Sequence, residues 1–167
     1  HAFYQHHPYS TQWGPMHWGH ARSKDLVRWE HLPVALAPEG PDDKDGCFSG
    51  SAVADGDMLA LIYTGHKFHG DPGDEANLYQ VQCLATSRDG IQFVRHGTVI
   101  DTPPGLHHFR DPKVWREGAW WYMVVGAREG DTGQVRVYRS ADLLEWQDRG
   151  VLAVAEKELG YMWECPD

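Results

Sequence analysis

Three times along the chain an aromatic residue is followed by polar or small residues before the next apolar run. The stretches are Phe48-Ser49-Gly50-Ser51-Ala52-Val53, Phe109-Arg110-Asp111-Pro112-Lys113-Val114 and the closing Tyr161-Met162-Trp163-Glu164-Cys165-Pro166-Asp167. Their aromatics, Phe48, Phe109 and Trp163, step by 61 and 54 residues. This pattern predicts equivalent strands of a repeated unit, with Ser49, Arg110 and Glu164 in corresponding places around one site.

A second repeat runs alongside it. Ser23-Lys24-Asp25, Ser87-Arg88-Asp89 and Ser140-Ala141-Asp142 are each followed four residues after the Asp by an aromatic, Trp29, Phe93 or Trp146. An apolar stretch then follows each time. Short Ser and Asp side chains bond nearby backbone N–H groups and suit a tight turn, so Asp25, Asp89 and Asp142 read as structural. The Ser steps, 64 and 53 residues, track those of the first repeat.

Strands are predicted at 2–6, 16–22 and 28–36, at 49–54, 58–64, 79–86 and 92–100, and at 111–116, 119–126, 134–140 and 145–153. A hairpin is expected around Asp55-Gly56-Asp57, and no run has a useful helical period. Residues 38–46 and 66–75 are breaker-rich and read as surface excursions. Four antiparallel strands per repeat of this length is the arithmetic of a β-propeller. Three or fewer blades cannot close a ring, so residues 1–167 are expected to be a single fragment of such a domain, cut at both ends.

Charge and composition narrow the partners. Fifteen Lys and Arg against 24 Asp and Glu give a net charge of −9, which argues against a nucleic-acid or anionic-membrane partner. Eight Trp, seven Tyr and five Phe suit β-structure and also sugar binding. Cys47, Cys83 and Cys165 match no zinc or redox spacing and read as reduced thiols of a cytoplasmic protein. His17 with His20, His66 with His69, and the adjacent pairs His6-His7 and His107-His108 lack a third ligand in pattern, so no metal and no cofactor are expected. No stretch is apolar enough to span a membrane.

A carboxylic acid, a second carboxylate and an Arg in one funnel suit glycosidic cleavage. One carboxyl group protonates the leaving oxygen while another attacks or stabilises the sugar cation. A general acid at neutral pH needs a raised pKa, which burial and a nearby carboxylate would supply.

The chain resembles glycoside hydrolase family 32, the β-fructofuranosidases. The likeness rests on Phe3-Tyr4-Gln5, on the run from Trp13 to Ala21, on Phe48-Ser49-Gly50-Ser51, on Phe109-Arg110-Asp111-Pro112 and on Trp163-Glu164-Cys165-Pro166-Asp167. It is most similar to the bacterial members that act on sucrose 6-phosphate. The resemblance implies an all-β fold, about three blades of a five-bladed propeller, and retaining hydrolysis of terminal β-fructofuranosyl units of sucrose, sucrose 6-phosphate or fructan. By motif position it implies Glu164 as general acid/base and Asp111 as transition-state stabiliser. Gln5, Trp13, Phe48, Ser49 and Arg110 match substrate-contacting positions. The family's nucleophile lies in an Asn-Asp-Pro-Asn-Gly motif that does not occur here. Residues 1–167 alone are therefore expected to hydrolyse sucrose no faster than a Glu164→Ala control. The alternatives are a related glycosidase with another pentose-like substrate, or a propeller that binds carbohydrate or protein without catalysis.

Overall fold

The computed structural model describes residues 1–156 and 159–167. Among the described residues, eleven antiparallel strands form three sheets. The first holds β1 (Ala2–His6), β2 (His17–Ser23) and β3 (Trp29–Leu36) in that order. The second holds β4 (Gly46–Asp55), β5 (Met58–Phe68), β6 (Leu78–Ser87) and β7 (Val94–Ile100). The third holds β8 (Leu106–Glu117), β9 (Trp120–Glu129), β10 (Thr132–Ser140) and β11 (Trp146–Val154). A 3-10 turn, Glu75–Asn77, interrupts the loop before β6. Each of the eleven strand ranges expected above has its strand; β4, β5, β8 and β9 run longer than their sequence signal, whereas β3 and β7 are shorter.

The sheets are meanders that stack on one another, as successive propeller blades do. The middle sheet shows why. Along β5, Ala60 and Ile62 point to a core shared with the third sheet, while Leu61 and Tyr63 point to a core shared with the first. Along β6, Leu84 faces one core and Val81, Cys83 and Ala85 face the other. A strand covered on both faces must be apolar at both parities, and the run from Leu59 to Tyr63 is. Phe109, Met123 and Val125 complete the second core, and Trp18, Leu36 and Cys47 the first.

The three Ser-x-Asp turns form as expected. In each, the Ser Oγ accepts the N–H three residues on, and the Asp Oδ1 accepts the N–H groups two and three residues beyond itself. The residue three after each Ser, Leu26, Gly90 or Leu143, has φ between 60° and 69°. The repeat therefore conserves a left-handed corner as well as two side chains.

One expectation is corrected. Trp163-Glu164-Cys165 lies in no strand. It has no ladder partner among the described residues and instead crosses the third sheet over two glycines. A Cβ on Gly126 would sit 2.1 Å from the Trp163 carbonyl, and one on Gly133 would sit 3.1 Å from the Trp163 nitrogen. Only glycine leaves room for that approach.

Candidate active site

Two irregularities in the sheets aim the site. The β4–β5 register breaks between Cys47 and Gly50, so Phe48 and Ser49 bulge from the ladder. The β8–β9 register breaks between Arg110 and Lys113, releasing Asp111 and Pro112. Asp111 has φ 65°. Bulges redirect side chains and commonly sit beside functional sites. Both open toward the same cleft of about 470 Å³.

All seven site residues expected from the sequence line that cleft. Gln5 comes from β1, Trp13 from the loop after it, Phe48 and Ser49 from β4, Arg110 and Asp111 from β8, and Glu164 from the closing segment. Gln5 Nε2 donates to the Cys47 carbonyl at 3.1 Å, fastening β1 beside Phe48. Trp13 meets Phe48 edge to face at 5.3 Å and stays 70% exposed. A ring that large, mostly uncovered at a cleft mouth, is available to stack on a ligand.

The carboxylates have different surroundings. Asp111 is buried, and its Oδ2 accepts the Cys165 N–H at 3.2 Å and lies 3.5 Å from the Cys165 sulfur. Burial pushes the Asp111 carboxyl above the usual aspartate range, against the pull of those donors and of Arg110. Burial and Asp111 together push the Cys165 thiol up to about 11. Glu164 is not buried as expected; its side chain is 58% exposed. Its segment passes over the glycines and leaves the carboxylate at the open rim. Arg110 Nε and Nη2 donate to Glu164 Oε1 at 3.0 and 2.8 Å. The same Nε lies 4.0 Å from Asp111 Oδ2. One guanidinium thus stands between two carboxylates.

Sequence reading passed over the groups that hold this arrangement. Thr64 Oγ1 donates to Gln82 Oε1 at 2.8 Å and accepts the Asp111 N–H at 3.0 Å. Gln82 Nε2 donates to the Phe109 carbonyl at 2.8 Å, and Gln80 Oε1 accepts the Phe109 N–H at 3.0 Å. The middle sheet therefore supplies the hydrogen bonds that the bulged β8 forfeits. Ser51 adds a tie between inner strands, donating to the Pro112 carbonyl and accepting the Val114 N–H. His66 stacks on Phe48 at 4.1 Å. Polar residues at alternate positions in strands otherwise apolar, Thr64 with His66 and Gln80 with Gln82, were the available signal.

In chemical terms the cleft offers an exposed carboxyl group able to exchange a proton, a buried carboxylate able to stabilise positive charge, and an aromatic shelf. The description "Glycosyl hydrolases family 32 N-terminal domain" matches residues 1–167. The chain is 58% identical to a sucrose-6-phosphate hydrolase of Escherichia coli and 55% identical to a raffinose invertase of Escherichia coli, across all of this chain and 35% of each relative. It superposes on a Bombyx mori GH32 beta-fructofuranosidase, a mutant of which is solved in complex with sucrose, with a TM-score of 0.89 and 44% identity. That match covers 99% of this chain and 35% of the silkworm protein. The chain spans about a third of the length of these relatives. With its three stacked sheets and its shared cleft, the chain belongs to glycosyl hydrolases family 32, in the N-terminal domain of that family.

Proposed function

We propose that these residues are part of the catalytic propeller of a retaining β-fructofuranosidase that cleaves sucrose, sucrose 6-phosphate or a short fructan. The carrying observation is that Glu164 and Asp111, 53 residues apart in sequence, flank one Arg110 nitrogen in a cleft lined by Gln5, Trp13, Phe48 and Ser49.

In this reading Glu164 protonates the glycosidic oxygen and then, as a base, activates the water that releases the sugar. Its open position suits access to both the leaving group and water. Asp111 stays at the fructose ring, where its charge offsets the oxocarbenium character of the transition state. Trp13 supplies a hydrophobic platform. The nucleophile belongs to a strand outside residues 1–167, because the Asn-Asp-Pro-Asn-Gly sequence is absent from them. Cys47, Cys83 and Cys165 are all unpaired, which supports a cytoplasmic setting. No helix among the described residues is long and apolar enough to cross a membrane. The net charge of −9 argues against nucleic acid as the ligand.

The test is product analysis with the complete polypeptide that carries this chain. Sucrose with methanol present should yield methyl β-fructofuranoside as well as fructose, and Glu164→Ala should lower both together by on the order of a hundredfold to ten-thousandfold. An α-configured product, or no fructose from any of the three substrates, contradicts the proposal.

A further inference from the structure

We infer that His108 is a positioning residue: together with Gln80 it fixes the Arg110 guanidinium against Glu164, acting as a neutral imidazole protonated on Nε2. This rests on the reading of Glu164 as the acid/base group.

The argument begins with donors. A guanidinium has five N–H groups and nothing that accepts. Arg110 Nη1 lies 2.8 Å from His108 Nδ1 and 3.3 Å from Gln80 Oε1. Nδ1 must therefore be the accepting nitrogen, and a neutral ring carries its proton on Nε2. An imidazolium would set one N–H against another. The opposite side of the same guanidinium, Nε and Nη2, is the side that binds Glu164. Holding Nη1 from behind thus fixes the face presented to the acid/base group.

His108 is built into that position. The β8–β9 register breaks between His107 and Phe109, and His108 has φ 53°, so its side chain leaves the ladder. Among the described residues its buried Nε2 has no partner in hydrogen-bond range, and the nearest carboxylate oxygen, Glu75 Oε2, is 3.8 Å away. Glu75 favours a proton on that nitrogen. The charged and titratable groups around the ring include Arg110, Glu75, His107, Arg128 and His66. Burial and Arg110 lower the His108 pKa, which keeps the ring neutral. Gln80 is equally constrained: its Oε1 also accepts the Phe109 N–H, and its Nε2 lies 3.3 Å from His66 Nδ1.

The experiment uses the complete enzyme and two fructosides, one with a good leaving group and one with a poor one. His108→Leu should lower kcat on the poor substrate by about tenfold to a hundredfold, and on the good one by less than about threefold, because only the poor one needs a well-placed proton. His108→Asn should restore most of the loss, since its Oδ1 can accept from Arg110. A uniform loss on both substrates, or no rescue by Asn in a folded variant, overturns the inference. Glu164→Ala measured in parallel separates the two levels. If it too discriminates between the substrates while His108→Leu does not, only the inference fails; if it does not discriminate, the site reading fails. Should His108→Leu not fold, imidazole nitrogen NMR of the wild-type protein decides. An Nε2-protonated ring supports the inference, and an Nδ1-protonated or charged ring at neutral pH overturns it.

Discussion

Arg110 reaches across 54 residues of sequence to place two N–H donors on a single oxygen, Glu164 Oε1, at 2.8 and 3.0 Å. Glu164 is more than half exposed, and such ion pairs contribute only about 0–1 kcal/mol to stability. Orientation is the better account of the contact. Lysine carries a point charge and no fork. Arg110→Lys should therefore cost only about 1–3 kcal/mol of stability, for the His108 and Gln80 acceptors it strands, while lowering kcat by on the order of a hundredfold, the lower end of a general-acid contribution. A large stability loss with intact kcat would contradict this, as measured by thermal unfolding beside steady-state kinetics.

Asp111 is a buried carboxylate whose pKa is raised chiefly by desolvation. Its stabilising form is the protonated one, so its contribution is complete below the ordinary aspartate value and is lost as pH rises through the raised value. Above that raised value the ionised group burdens the fold. Asp111→Asn should raise stability at pH 7 and lower activity by on the order of a thousandfold, as expected for loss of a preorganised charge. Asn also tolerates the left-handed backbone at this position. The stability gain should fade as pH drops toward the ordinary aspartate range. Urea unfolding at several pH values checks the trend, and a gain independent of pH would count against it.

His66 is buried against Phe48, and burial lowers its pKa to about 4 from 6.5. A depressed histidine stabilises the fold above its unfolded pKa, and that contribution drains away as pH falls from 6.5 toward 4. The amount at stake is at most about 3 kcal/mol. His66→Phe keeps the stack and removes the titration, while losing the contact to Gln80. The variant should be the less stable protein at pH 7, with the gap to wild type narrowing as pH drops to 4.5. A gap that stays constant would contradict the assignment.

Thr64 is fully buried and serves Asp111 and Gln82 at once. Thr64→Val preserves shape but leaves the Asp111 N–H and Gln82 Oε1 without it. The expected loss is about 1–3 kcal/mol, the cost of stranded buried polar groups. Activity should fall with it, because the same N–H fixes the bulge that aims Asp111. Denaturant unfolding and kcat measured together test this; loss of stability alone would show that the bulge holds without Thr64.

Much of the architecture was legible because it repeats. Ser23, Ser87 and Ser140 with their Asp partners announced three identical corners, and the alternating apolar strands between them fixed the meanders. Even the left-handed corner residue left a trace, since Gly90 occupies the position that Leu26 and Leu143 hold at φ 60° and 67°. The closing segment was misread as a strand because Trp163 mimics Phe48 and Phe109 in sequence. Its course depends on Gly126 and Gly133, which are distant along the chain. The burial of Glu164 was overestimated for the same reason. The support under the site, Thr64, Gln80, Gln82 and His108, stayed hidden because it works between sheets, and cross-blade contacts have no local signature.

The central claim is that Glu164 delivers the proton in a cleft assembled from three sheets. Its most direct test is the complete enzyme carrying Glu164→Ala, assayed on fructosides with good and poor leaving groups. The claim predicts a loss on the order of a hundredfold to ten-thousandfold on the poor substrate, a far smaller loss on the good one, and partial recovery with added azide or formate. Equal losses on both substrates, with no recovery, would contradict it.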